Sequence, residues 1–381
     1  MNSKKSNPIA GIFIGILFVI GGLILLWWNE GRTVKTESAI KEAEANYIDV
    51  SSDKVEASNE GKLIASNGLQ TREEKLNDTL FGVITDSSKM KRVVEVYQWV
   101  EDCDTDSDNN ETCTYSKEWK EDIIKSSDFK ESSTHTNPTS KQYESKTFVN
   151  TVKAGEFVVP KDMVEGLTTK GEVTLSSDND DVRYTLSQLK LSIDPSGKYY
   201  TNANDIANPE IGNMRISFVF NNEPYVSFIG VQKGNTIEAY KAKSGYKIYQ
   251  LYEGQYKGDQ MIQMMKDSNR MIKIICRVAG ILLVIIGLLA IISPIQKLAS
   301  YVPILGSLFN GATTLIAIFI GLAISLIDIA IAWIVYRPVV GFILLAVAIA
   351  LIVLSIVLKK KNKVEQPVQQ AVVNQQPNGQ V

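Results

Sequence analysis

Apolar residues collect at the two ends of this chain, and the middle alternates between apolar and polar positions. The first run, PIAGIFIGILFVIGGLILLWW from Pro8 to Trp28, is uncharged and has the length of about twenty residues that a helix needs to cross hydrocarbon. It closes on Trp27 and Trp28, which favour the headgroup boundary, followed by Asn29, Glu30 and Arg32. A cleaved signal peptide has a shorter apolar stretch ending in small residues. An uncleaved helix over 9–28, behind a short N-terminal segment at 1–8, is therefore expected. Gly11 and Gly15 form a small-xxx-small pair through which a second helix can approach, unless the span merely tolerates them.

Three further spans are expected near the C-terminus. The first covers 274–293 and is closed by Pro294; the second covers 313–335 and the third 339–358. The turn Tyr336 to Val339 (YRPV) joins the last two as a helical hairpin. The segment 294–312 is short, is broken by Pro303, and is expected along the interface. Residues 359–381 form a polar tail without core-forming content. Four spans place both termini on one side. Lys4, Lys5, Lys297 and the run from Lys359 to Lys363 favour the cytoplasm for the termini. Arg32, Lys35, Lys266, Arg270, Lys273, Arg277 and Arg337 oppose them, so charge alone leaves the orientation open.

Between the first two spans, residues 29–273 form one large domain. After a polar helical start (Thr36 to Asn46) it breaks into short β-branched and aromatic runs bounded by Gly, Pro, Asn or Asp. These include GKLIAS, RVVEVYQWV, KTFVNTV, GEFVVP, MRISFVF, PYVSFIGVQ, NTIEAY and YKIYQLY. In VVEVYQWV, Val94, Val96, Gln98 and Val100 share one face, and Val93, Glu95, Tyr97 and Trp99 the other. Neither face is cleanly polar, which predicts a strand covered on both sides. The short connections from Pro209 to Gly254 suggest a meander. Met261, Met264, Met265 and Ile272 recur at helical spacing and predict one helix running from the domain into the membrane, with the methionines packed on the domain.

Composition narrows the chemistry. With 40 Lys+Arg against 42 Asp+Glu over 381 residues, the chain lacks the basic excess that nucleic-acid binding uses. One histidine and three cysteines leave most zinc and histidine-dependent catalytic sites without ligands or bases. No Gly-rich phosphate loop or nucleophile with a base partner is present, so no catalytic, metal or cofactor residues are assigned. The patch Asp102, Asp104, Asp106, Asp108 fails as a calcium loop. Its sixth and twelfth positions are Ser107 and Cys113, or Asn109 and Tyr115, where glycine and glutamate are needed. A hairpin tip fits better, with Tyr97 to Trp99 leading in and Tyr115 to Trp119 leading out. Cys103 and Cys113 then face each other across its neck and can form a disulfide in an oxidising compartment. Cys276, inside a span, is expected to stay reduced. Glu118, Glu121 and Asp122 look like exposed carboxylates rather than a catalytic pair.

Several stretches together carry a resemblance: WWNEGRTV (Trp28, Asn29, Glu30, Gly31, Arg32), VVEVYQWVED (Glu95, Tyr97, Gln98, Trp99), YSKEWKEDIIKSSDF (Trp119), HTNP (His135, Asn137, Pro138), GNMRISF (Arg215) and WIVYRP (Tyr336, Pro338). In this order they resemble the transmembrane protein 43 family, also called LUMA. The resemblance implies a multi-pass α-helical membrane protein with a large β-rich (α+β) lumenal or extracytoplasmic domain, one N-terminal span and three C-terminal spans. That placement puts residues 1–8 and the tail 359–381 in the cytoplasm. It also implies a scaffold that associates with itself and with envelope proteins in the endoplasmic reticulum and inner nuclear membrane. For a bacterial relative the plasma membrane takes their place. The expected partners are thus the lipid bilayer, a second copy and membrane or envelope proteins (nuclear-envelope proteins in a eukaryote). The alternative is an ion or proton pathway using Asp328, a carboxylate within the third span. Asp328 can instead pair with Arg277 or Arg337 as structural glue.

Overall fold

The computed structural model describes residues 8–105, 111–201, 206–300 and 306–343. Among the described residues five complete helices are present: α1 Pro8–Asn46, α2 Lys161–Glu165, α3 Asp180–Leu189, α4 Gly258–Ser300 and α5 Gly306–Tyr336; the short α2 and α3 are not among the elements expected from sequence. Three of them, α1, α4 and α5, are long and apolar enough to cross a membrane. The fourth expected span, 339–358, lies for the most part outside the described residues, as does the C-terminal tail. The chain divides into two compact units, one formed by residues up to Glu37 with those from Asp267 onward, the other by Ser38–Lys266.

Two boundaries differ from the sequence expectation. Helix α1 does not end at Trp28; it runs unbroken through WWNEGRTV to Asn46. The polar residues there continue the helix because several are buried, Asn29, Glu30 and Thr33 completely. Residues 29–37 and 267–273 accordingly group with the apolar helices rather than with the β-rich unit. Helix α4 likewise continues past Pro294 to Ser300, and α5 begins already at Gly306, so most of 294–312 is helical. A proline inside a helix removes one backbone donor, a loss that helices in apolar surroundings absorb locally.

Among the described residues the β-rich unit holds two seven-stranded sheets and two small two-stranded ones. Its principal strands are β1 Leu63–Arg72, β2 Lys89–Thr105, β3 Glu111–Lys120, β4 Lys146–Val149, β5 Val152–Ala154, β6 Phe157–Val159, β7 Met214–Asn221, β8 Tyr225–Lys233, β9 Thr236–Glu238 and β10 Gln250–Glu253. In the first sheet the pairings β1–β5, β5–β6, β6–β9, β9–β8 and β8–β1 close a circuit, with β10 added on β8. Alternation along β1 and β8 sorts the side chains onto two faces. Ile64, Val226 and Phe228 join Phe157 and Ile237 in one apolar cluster. Leu63, Ala65 and Ile229 join Ala39, Ile40 and Ala43 of α1 with Met261, Ile262 and Met265 of α4 in another. The methionine stripe is therefore packing surface, although Ile272, further along α4, is exposed.

In the second sheet β2 lies between β7 on one edge and β3 and β4 on the other. The expected meander after Pro209 does not form, because β7 and β8, adjacent in sequence, belong to different sheets. Short loops fix proximity but not pairing; here the apolar faces of β7 and β8 are buried in separate cores. Met90, Val94 and Val96 of β2 pack with Ile216 and Phe218 of β7 and with Phe81 and Tyr199. The opposite face, with Glu95, Tyr97 and Trp99, is half-buried rather than fully covered. Burial pushes the Tyr199 phenol up to about 12, and its hydroxyl donates to the Phe81 carbonyl at 2.7 Å.

Glu253 at the end of β10 ties the two sheets together. It accepts from Thr168 N at 2.7 Å, Thr168 Oγ1 at 2.6 Å, Lys170 Nζ at 2.6 Å and Asn221 Nδ2, in β7, at 2.9 Å. Burial raises its pKa, but the hydrogen bonds from Lys170 and Thr168 outweigh burial and hold the carboxyl below its ordinary 4.5. A depressed folded pKa means that this stabilisation is complete above the unfolded value and is lost as pH falls through the folded one. Glu253→Gln is expected to cost about 1.5–3 kcal/mol near neutral pH, the range for hydrogen bonds to a charged group. Thermal unfolding followed from pH 7 to pH 3 should show a shallower acid decline in the variant than in the wild type.

Candidate functional site

The helical unit carries an unusual density of polar side chains at one level of its apolar helices. Close approach comes first. A Cβ on Gly15 would lie 2.6 Å from the Gly287 carbonyl oxygen, and one on Gly22 would lie 2.8 Å from that of Gly280. Both contacts join α1 to α4, and in each helix the two glycines are one heptad apart. Gly11, the other half of the small pair read from sequence, has nothing within 4 Å among the described residues. The close approach expected at Gly15 is present, and the matching seven-residue intervals in α1 and α4 carry it further along both helices. Gly22→Leu is expected to force α1 and α4 apart at a cost of about 1–3 kcal/mol or more. The readout is a lower melting temperature of the full-length chain in detergent, with Gly11→Leu close to wild type.

On this scaffold Glu30 is fully buried, with a side-chain exposure of 0 %. It accepts from Arg277 Nε of α4 at 2.6 Å and from Trp333 Nε1 of α5 at 2.9 Å. The Arg277 guanidinium also lies over the Trp333 ring, 5.6 Å from its centroid. One carboxylate thus holds three helices. Asn29 Nδ2 donates to the Lys273 carbonyl at 3.1 Å. Two turns further along α1, Glu37 accepts from Arg337 Nη2 at 2.6 Å and sits 3.6 Å from Lys273 Nζ. Gly31 is required because a Cβ there would meet the Tyr336 ring at 2.7 Å, and the same tyrosine packs edge-on against Trp27. After Tyr336 the chain bends, and Pro338 opens a new helical segment through residue 343.

The expected pairing of Asp328 with Arg277 or Arg337 is not what the structure contains. Both arginines are taken by Glu30 and Glu37, and Asp328 lies nine residues before Arg337, about 13 Å along a helix axis. Its Oδ2 is buried with no hydrogen-bond partner among the described residues. Cys276 is a free thiol on α4.

The remaining motif residues gather on the half-buried face of β2 and its neighbours. Glu95 pairs with Arg215 at 2.8 Å, and Arg215 lies 4.8 Å over the Trp119 ring, which itself packs on Tyr97. On the opposite face Gln98 Nε2 donates to the Asp122 carbonyl at 2.7 Å, and its Oε1 accepts from Ile124 N at 2.8 Å. Asn137 of the HTNP motif substitutes for a strand: its amide accepts from Trp99 N at 2.7 Å and donates to the Trp99 carbonyl at 2.9 Å. His135 stacks on Tyr115 at 3.7 Å, meets Trp99 edge-on and has Nδ1 3.2 Å from the Glu131 carbonyl oxygen. Pro138, next to Asn137, is half-buried. Glu118 pairs with Lys120 and Glu121 with Lys91, as surface carboxylates do. Hydrogen bonds from Lys120 and Ser116 hold the Glu118 carboxyl below its usual range. Cys103 and Cys113 stand directly opposite one another in the β2–β3 register and form a disulfide. The acidic tip at 106–110 lies outside the described residues.

Two groups of interactions therefore account for the motif residues: a polar latch among the helices and a brace on the β2–β3 hairpin. The family profile described as Transmembrane protein 43 matches residues 96–338. Proteins named Transmembrane protein 43 from Rattus norvegicus and Homo sapiens are each 25% identical, over 88% of this chain and 86% of theirs. A Transmembrane protein 43 homolog from Drosophila melanogaster is 29% identical over 89% of this chain and 91% of its own. No solved structure matches.

Proposed function

This chain belongs to the transmembrane protein 43 family of integral, multi-pass membrane proteins, and from that premise we propose that it works as a non-enzymatic membrane organiser. In this reading it associates with further copies of itself and holds other membrane or envelope proteins in place. The observation that carries it is the use made of the ionisable groups in the helical unit. Glu30, Arg277, Glu37 and Arg337 are engaged with one another across α1, α4 and α5. A closed set of ion pairs fixes helices relative to each other, which suits a rigid platform. It also removes the arginines from any ion path built on Asp328.

The β-rich unit is proposed to face the lumen or the cell exterior, because a disulfide persists in an oxidising compartment. Protease added to sealed vesicles from the cytoplasmic side should leave that unit intact, and its digestion would reject the placement. The organiser reading is tested by crosslinking the full-length chain in membranes and weighing the products in mild detergent. Species of two or more chains, or a stable heteromeric band, are expected. A strictly monomeric chain that co-purifies with nothing would end this reading.

A further inference from the structure

Arg32 stands apart from the other cations of the latch. Its Nη1 donates to Asn269 Oδ1 at 2.9 Å, and its Nη2 to Asn29 Oδ1 at 3.3 Å and Thr33 Oγ1 at 3.2 Å. All three acceptors are neutral, and no carboxylate lies within ion-pair distance of Arg32 among the described residues. Asn269 is in turn fixed by donating to the Thr33 carbonyl at 3.4 Å. The guanidinium is thus held in one orientation while its charge stays uncompensated, and only part of the side chain is buried. Such an arrangement at the edge of an apolar span is costly unless a counter-charge arrives from outside the chain.

The surroundings say where that charge comes from. Trp28, Arg32 and Lys35 recur at helical spacing and share one face of α1, and Trp28, the last residue of the uncharged run, is 54 % exposed. A tryptophan so placed marks the depth of lipid headgroups. On α4, Arg270 follows Asn269, is exposed, and forms no ion pair among the described residues. Over residues 29–37, 267–277 and 337 the chain has six cations, Arg32, Lys35, Arg270, Lys273, Arg277 and Arg337, against three carboxylates, Glu30, Glu37 and Asp267. Glu30 and Glu37 already serve Arg277, Arg337 and Lys273. We infer that Arg32, with Arg270 beside it, binds the phosphate of an anionic phospholipid at the boundary of the bilayer. The exposed Arg270 can offer its guanidinium fork to phosphate oxygens, while Arg32, whose Nε is buried and whose Nη2 is fully used, adds its charge and the second Nη1 hydrogen. The excess positive charge selects a lipid with net negative charge over a zwitterionic one.

The test uses the full-length chain reconstituted in phosphatidylcholine vesicles carrying spin-labelled phosphatidylglycerol or spin-labelled phosphatidylcholine. Electron paramagnetic resonance then reads the immobilised fraction of each lipid. The wild type is expected to prefer the anionic probe by about fivefold or more, the factor associated with one basic residue at a charged surface. Arg32→Gln and Arg270→Gln should each lower that preference severalfold, and Arg32→Lys should keep part of it. Should Arg32→Gln fail to reconstitute, Arg270→Gln at an exposed position decides alone. Equal immobilisation of both lipids by the wild type overturns the inference, as does a preference that neither substitution changes. Displacement of the anionic lipid by millimolar inorganic phosphate would also overturn it, since the site would then be one for free phosphate.

Discussion

Glu30→Leu is expected to lose the native arrangement of α1, α4 and α5, with a destabilisation of about 3–5 kcal/mol. The substitution removes the acceptor of Arg277 and of Trp333 at once. Leucine has comparable volume, so a cavity is a minor part of the effect. The main cost is the Arg277 guanidinium, 27 % exposed and left without its counter-charge among apolar helices. Glu30→Gln keeps an acceptor for one donor and should cost less. The double variant Glu30→Leu/Arg277→Leu should recover part of the loss, because it removes the unpaired charge as well as the pair. Thermal unfolding of the full-length chain in detergent, followed by tryptophan fluorescence, measures all four proteins. If Glu30→Leu melts with the wild type, the latch does not hold the helices.

Asp78→Leu should be the most damaging single change in the β-rich unit. Asp78 Oδ2 meets Arg92 Nη1 at 2.6 Å with side-chain exposures of 3 % and 8 %, the most deeply buried ion pair among the described residues. Arg92 also donates from Nε to the Glu144 carbonyl at 2.8 Å and lies over the Phe81 ring at 5.0 Å, so its position in the core is fixed. Removing the carboxylate leaves a guanidinium that can neither reach water nor deprotonate. The expected loss is about 3–5 kcal/mol, and at roughly 2–4 °C per kcal/mol the melting temperature should fall by about 10 °C. Asp78→Leu with Arg92→Met should stand much closer to the wild type, since an apolar pair of similar volume fits the same core. Equal melting of Asp78→Leu and wild type would mean that Arg92 finds another partner.

Both of these pairs were hidden in the sequence, whereas much of the framework was plain there. Uncharged runs of bilayer length identified α1, α4 and α5, and alternating β-branched and aromatic runs located most strands. The two cysteines flanking an Asp- and Asn-rich turn marked the hairpin neck. Such features are local: they depend on the rise and period of a single backbone segment, which neighbouring residues alone encode. The order of the WWNEGR, VVEVYQWV, HTNP and WIVYRP motifs also identified the family.

The partners were decided by tertiary structure. Glu30 and Arg277 are 247 residues apart, and nothing in either segment distinguishes this pairing from one between Arg277 and Asp328. The choice is made by the depth at which α1, α4 and α5 cross, which the glycine contacts set. That same crossing buries Asn29, Glu30 and Thr33 inside a helix where polarity suggested the start of a domain. In the β-rich unit the short link between β7 and β8 looked like a hairpin, yet the two strands pair in separate sheets. Asn137 completes an edge of β2 that no pattern in HTNP announces. Period and length are properties of a segment, but hydrogen-bond partners and ion pairs belong to surfaces that exist only after distant segments have packed.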